Sequence, residues 1–270
     1  MGNAYEERLG TDRMLPLIFK MSLPAVAAQL VNLLYNIVDR IYIGHIPGIG
    51  TDALAGIGVT SAVIVLISSF SAIVGAGGSP LAAIALGRGN RERAGQILGN
   101  GFILLLIFTI LTSATTYLFM EPILLFTGAS ENTIGYATDY LSIYLLGTLF
   151  VELSVGLNTF INTQGRPTIA MYSVLIGAIL NIGLDPLFIF TFGMGVKGAA
   201  LATILSQACS AIWVISFLTS KKASLRLEYR YMKLHKGIIL SILALGVSPF
   251  IMASTESLVG FVLNSSLEKF

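Results

Sequence analysis

Residues 168–191 read TIAMYSVLIGAILNIGLDPLFIFT, and this stretch decides what kind of protein the chain is. It holds one charged residue, Asp185, followed at once by Pro186. A helix rises about 1.5 Å per residue, so roughly 20 predominantly apolar residues cross the ~30 Å hydrocarbon layer of a membrane. Working outward with that ruler, six more stretches qualify, at about 15–43, 52–78, 95–119, 133–161, 197–220 and 237–262. Turn or charge signals separate them: His45-Ile46-Pro47-Gly48, Gly87-Arg88-Gly89-Asn90-Arg91, Glu121-Pro122, Gly165-Arg166-Pro167, Phe192-Gly193-Met194-Gly195, and the basic segment Lys221–Lys236.

Composition agrees. Of 270 residues, 55% are hydrophobic and 11% charged, and the mean hydropathy is +0.83. A soluble domain carries about a quarter charged residues. This excludes an ordinary cytosolic enzyme, a disordered tail and a nucleic-acid binder. One cysteine, Cys209, offers neither a disulfide framework nor a metal cluster. No nucleophile–base pair or metal motif stands on any span, so enzymatic chemistry is not expected and no cofactor is implied.

Thirteen of the sixteen lysines and arginines fall on one side if the seven spans alternate. Those are Arg8, Arg13, Lys20, Arg88, Arg91, Arg93, Arg166, Lys221, Lys222, Arg226, Arg230, Lys233 and Lys236; Arg40, Lys197 and Lys269 fall on the other. Cytoplasmic loops carry the excess of basic residues, so the N-terminus is expected to be cytoplasmic. Ser248-Pro249 repeats in the seventh span a feature of the first, Leu23-Pro24. The expected class is an all-α membrane protein: a six-helix transmembrane lobe plus the opening helix of a second lobe, as in transporters built from parallel repeats. The expected divisions are a cytoplasmic segment 1–14, a lobe 15–220, a basic inter-lobe loop 221–236, and the truncated second lobe 237–270. A genuine seven-helix protein is the alternative.

Ionisable groups within spans are costly, roughly 2.5–3.5 kcal/mol at the bilayer centre, so each needs a reason. At 100° per residue, Gln29, Asn32, Asn36 and Asp39 share one narrow face of the first helix. Asn181 and Asp185 are i, i+4 neighbours on the fifth, continued by Gly177 and Ser173. Thr203, Ser206, Gln207 and Ser210 form a face of the sixth; Tyr140, Tyr144, Ser154 and Asn158 form one on the fourth. Counting residues from the helix ends places Asp39, Asp185, Thr203 and Tyr140 in one layer, roughly 6–11 Å below the outer surface. Asn158 lies about 27 Å deeper than Tyr140. With Asn32 and Gln29 it is placed along a cavity leading inward.

Two carboxylates in a partly dry layer cannot both hold a full charge without a compensating cation. The oxygens of Asp39, Asp185, Asn181 and Thr203 suit a hard ion such as sodium, and the acids themselves suit protons. The alternative is that these groups only join helices by hydrogen bonds. Pro24 and Pro186 weaken the two acid-bearing helices, so a change at an acid could become a bend. Glu152 and Glu256 are left without partners. Gly75, Gly77 and Gly78 suggest close helix packing rather than a phosphate loop, since no Gly-Lys-Ser/Thr follows.

Five segments together carry a family resemblance: Val38-Asp39-Arg40-Ile41-Tyr42-Ile43-Gly44; the loop Leu86–Ala94; Gln164-Gly165-Arg166-Pro167; Asn181-Ile182-Gly183-Leu184-Asp185-Pro186; and Gly195–Thr203. They resemble the multidrug and toxic compound extrusion (MATE) transporters of prokaryotes, over about residues 14–270. The resemblance implies twelve helices in two lobes in the cell membrane, exporting cationic or amphipathic drugs in exchange for H+ or Na+. It implies Asp39 and Asp185 as coupling carboxylates, Asn181 and Thr203 as oxygen partners, and Tyr140 as a hydrogen-bond donor. Tyr35, Asn32 and Asn158, with Gln29 and Asn36 on the same helical face, would lie along a substrate cleft. The missing C-terminal lobe would be a required partner. A lipid-linked precursor flippase of related architecture and a non-transporting fragment are the rival readings.

Overall fold

The computed structural model describes residues 14–267. Arg8, Arg13, Lys269 and most of the segment 1–14 therefore lie outside the described residues. The described chain is helical in all seven apolar stretches: α1 (Met14–Gly44), α2 (Gly50–Gly87), α3 (Arg91–Leu118), α5 (Ile134–Thr163), α6 (Pro167–Pro186), α7 (Val196–Thr219) and α8 (Lys236–Leu267). A short α4 (Met120–Phe126) fills the break at Glu121-Pro122. All seven long helices have the length and apolar character to cross a membrane.

The ends follow local chemistry. Asn90 caps α3, its side chain accepting the Arg93 N–H at 2.9 Å. Gly89 before it has φ +74°, a left-handed conformation that glycine adopts without penalty. Pro167 opens α6, where its missing N–H costs nothing.

Two boundaries differ from the sequence expectation. The second span was expected to stop at 78, but α2 runs through Pro80 to Gly87. A proline frees a carbonyl and bends a helix, and packed neighbours can make the loss good. The carbonyl freed here is that of Ala76; α5 packs along this turn, its Thr159 and Thr163 hydroxyls reaching the flanking Gly75 O and Ser79 O at 3.4 and 3.3 Å. The stretch 168–191 was expected as one helix. Its α-helical part ends at Pro186 and continues as a π-helical turn, Leu187–Thr191, because Pro186 cannot donate to the ladder.

Helix α5 is the centre of the bundle, packing on α2, α3, α6 and α7. Leu157, Phe160 and Ile161 are fully buried there among Val74, Leu98, Leu105 and Leu218. Glycines set the closest approach of α2 and α8. A Cβ on Gly77 would collide with the Ile242 carbonyl, and one on Gly246 with that of Ile73. Small residues at such crossings let backbones touch where no hydrophobic drive distinguishes helix from lipid. Close packing is thus the role of Gly77.

The basic segment between α7 and α8 is held to the bundle by two buried amides. Asn100 of α3 donates to Lys233 O at 3.0 Å and accepts the His235 N–H at 2.7 Å. Gln164 accepts the Leu225 N–H at 3.0 Å. On the opposite edge, α1 packs chiefly on α6 and leaves Leu30, Leu33, Leu34 and Ile37 exposed.

Candidate functional site

The α1–α6 contact brings the polar face of α1 against the acid of α6. Asp185 is fully buried and Asn181 nearly so. The carboxyl groups of Asp39 and Asp185 meet side by side. Asn181 Nδ2 donates to Asp185 Oδ1 at 3.2 Å and reaches Thr203 Oγ1 of α7 at 3.4 Å. Tyr140 of α5, 5% exposed, has its hydroxyl directed at Thr203, and its ring stacks on Tyr144 with centroids 6.1 Å apart. Four helices therefore contribute to one cluster: Asp39, Asp185 with Asn181, Thr203, and Tyr140.

The donors do not satisfy the acceptors. Asp39 Oδ1, Asp185 Oδ2 and Asn181 Oδ1 are buried with no hydrogen-bond donor among the described residues. Buried polar oxygens are nearly always paired, and an unpaired one costs about 1–3 kcal/mol. Three in one cluster, two of them from carboxyl groups, are oxygens of the kind that a hard cation gathers or that a shared proton would satisfy.

Two cavities adjoin this cluster. One, of about 230 Å³, is lined by Asn36, Asp39, Arg40, Tyr140, Tyr144 and Thr203. The other, of about 350 Å³, has Gln29, Asn32, Ser154, Asn158 and Ser210 in its wall. Tyr35 and Gln207 line both and so stand between them. Asn181 and Asp185 lie in the protein behind the first cavity. Asn158 donates to Ser173 Oγ at 2.9 Å and to Ala170 O at 3.2 Å, tying α5 to α6 at the second. Asn36 lines only the first cavity, and its amide donates to Asn32 O at 2.7 Å.

Three polar contacts were not legible as site features. Gln207 stood on a recognised polar face, yet its place between the cavities needs the tertiary fold. Arg40 follows Asp39 in sequence and opens onto the same cavity. Glu152, 2% exposed, lies against the hydroxyls of Ser68 and Ser71 on α2. The only trace in sequence is the serine cluster Ser68-Ser69-Phe70-Ser71 within an apolar helix. Glu256 is exposed on α8, whose next residue, Ser257, donates to Ala62 O at 2.7 Å.

Comparison with known proteins gives a consistent result. The multidrug export protein MepA of Staphylococcus haemolyticus (strain JCSC1435) is 28% identical over 243 residues, covering 90% of this chain and 53% of that protein. The chain spans about half the length of the curated relatives it matches. Among solved structures, the inward-facing conformation of a multidrug resistance MATE family transporter of the MOP superfamily superposes with TM-score 0.81 at 27% identity, over 92% of this chain and 56% of that one. A MOP superfamily transporter from Pyrococcus furiosus Vc1 (DSM3638) superposes with TM-score 0.84 at 28% identity, over 92% and 55%. Reverse polarity of its binding pocket is taken to suggest a different function for that protein. The MatE family pattern matches residues 24–187, across the acids of both α1 and α6. The chain belongs to the MatE family, the MATE transporters.

Proposed function

We propose that this chain is the N-terminal part of a secondary active exporter that moves cationic or amphipathic small molecules outward in exchange for H+ or Na+. The observation that carries the reading is the meeting of Asp39 and Asp185 beside a polar cavity, with three of the cluster's buried oxygens lacking a donor. In this reading the coupling ion binds among Asp39, Asp185, Asn181 and Thr203, with Tyr140 donating to the cluster. The drug occupies the cleft along Gln29, Asn32, Tyr35 and Asn158, and Asn36, expected on that cleft, instead lines the cavity beside Asp39. Residues 15–220 form the first lobe, 221–236 the inter-lobe loop, and 237–270 the first helix of a second lobe needed for a complete path. The chain lies in a prokaryotic plasma membrane with its N-terminus cytoplasmic, and lipid covers the exposed apolar faces of its helices.

Ion binding would couple to shape through the prolines. Neutralising or filling the carboxylate pair changes what holds α1 against α6, and Pro24 lets α1 bend where its hydrogen-bond ladder is interrupted. Chemical change stays with the ion and its ligands; no bond of the drug is broken. A pyrophosphate-carrying flippase would instead want a cavity with a strong positive balance, whereas Asp39 opposes Arg40 here and Asp185 lies behind it.

The test is export of a cationic dye from a drug-sensitive host by the chain joined to a C-terminal lobe of a MatE relative. Expected are ion-dependent export by the joined protein and its loss in Asp39→Asn and Asp185→Asn. Unchanged ion-driven export in both variants overturns the reading.

A further inference from the structure

Glu152 is the buried acid that the two-carboxylate cluster does not use. It stands near the middle of α5 with 2% exposure, and its Oε1 is buried without a hydrogen-bond donor among the described residues. A carboxyl kept in a membrane helix without need is expensive, and such groups face the bundle interior where they carry ions or protons. Its surroundings are made for a carboxyl that changes state. From α2 the Ser68 and Ser71 hydroxyls face it, and on α5 itself Tyr144 is the near titratable group. The other helices packed on α5, namely α3, α4, α6 and α7, set no charged group against it among the described residues. Serine hydroxyls rotate, so each donates to a carboxylate or accepts from a carboxylic acid without moving the helix.

A route to water also exists. Tyr144 lines the 230 Å³ cavity that holds Asp39, while Glu152 sits behind it. The Tyr144 hydroxyl lies against Ser68, which in turn faces Glu152. The Tyr144 ring stacks on Tyr140, so the hydroxyls of α5 run from the carboxylate cluster toward Glu152.

We propose that Glu152, with Ser68 and Ser71, is a second proton-carrying site of this lobe, reached from the carboxylate cavity past Tyr144. The proton moves between a Glu152 oxygen and water in that cavity; only O–H bonds form and break. A proton suits the site better than sodium, since a single carboxyl with two hydroxyls offers fewer oxygens than the cluster of Asp39, Asp185, Asn181 and Thr203, and a proton needs only one. The role of this proton in transport rests on the exporter reading above, but its binding does not.

The experiment is infrared difference spectroscopy across a pH series on the 270-residue chain in lipid vesicles, following the carboxylic C=O stretch. Expected is a band that fades as pH rises, is absent in Glu152→Gln, and persists in Asp39→Asn/Asp185→Asn. Ser71→Ala should move its frequency, because the hydroxyl facing the carboxyl is gone. That variant also provides the reading should Glu152→Gln fail to fold. Absence of any band that titrates and responds to Glu152→Gln or Ser71→Ala, in protein that keeps its helical circular dichroism, overturns the proposal. Failure of the Asp39 and Asp185 variants to affect export would instead sink the exporter reading and leave this band untouched.

Discussion

Asp39 on α1 and Asp185 on α6 present their carboxyl groups to each other across the contact between the two helices. On the proposed reading the two acids serve one ion as a unit, and residues that act as a unit give non-additive losses. Asp39→Asn and Asp185→Asn should each lower ion-driven dye export about tenfold or more, the scale of losing one charged hydrogen-bond partner. The double variant should be no worse than the more damaging single one. Transport assays on the joined protein check this, and fully additive losses would separate the acids into independent sites.

Asn158 joins α5 to α6 through Ser173 and Ala170 while lining the larger cavity. Asn158→Leu keeps the branched shape and removes the amide. It should weaken binding of a cationic dye about tenfold, again on the scale of one buried hydrogen-bonded group. Fluorescence titration in detergent reads the affinity. An unchanged Kd places the dye elsewhere.

Asn100 is fully buried and bonds at both ends of its amide, to Lys233 O and the His235 N–H. Asn100→Leu leaves those backbone groups without their partner, at a cost of about 1–3 kcal/mol. The expected results are a lower Tm and faster proteolysis within 221–236, with no effect on dye affinity.

Gly77 and Gly246 mark the crossing of α2 and α8, where an added Cβ meets backbone rather than a flexible side-chain end. Gly77→Ala and Gly246→Ala should each destabilise by about 1–3 kcal/mol, the cost of overpacking a well-packed site. Gly58→Ala, on the same α2 with open space at its Cβ, is the control and should be close to neutral. Thermal unfolding in detergent compares the three.

Much of this protein was legible before any coordinate. Lipid cannot satisfy a backbone amide, so each long apolar stretch had to be a helix. The narrow stripe from Gln29 to Asp39 and the i, i+4 pair Asn181–Asp185 follow from helical periodicity alone. Residue counting at a fixed rise set the depth of Asp39, Asp185, Thr203 and Tyr140. Depth carries no information about rotation between helices or about which helices touch. Only the packed bundle turned the α1 stripe toward α6, put Tyr35 and Gln207 between two cavities, and brought α2 serines against Glu152. Pro80 and Pro186 make the same point. A proline is a break in a sequence, but whether a helix ends there depends on the neighbours packed along it, as α5 packs on the turn before Pro80 through Thr159 and Thr163. Local periodicity and hydrophobicity are properties of one segment, whereas orphaned oxygens and glycine crossings belong to pairs of segments distant in the chain.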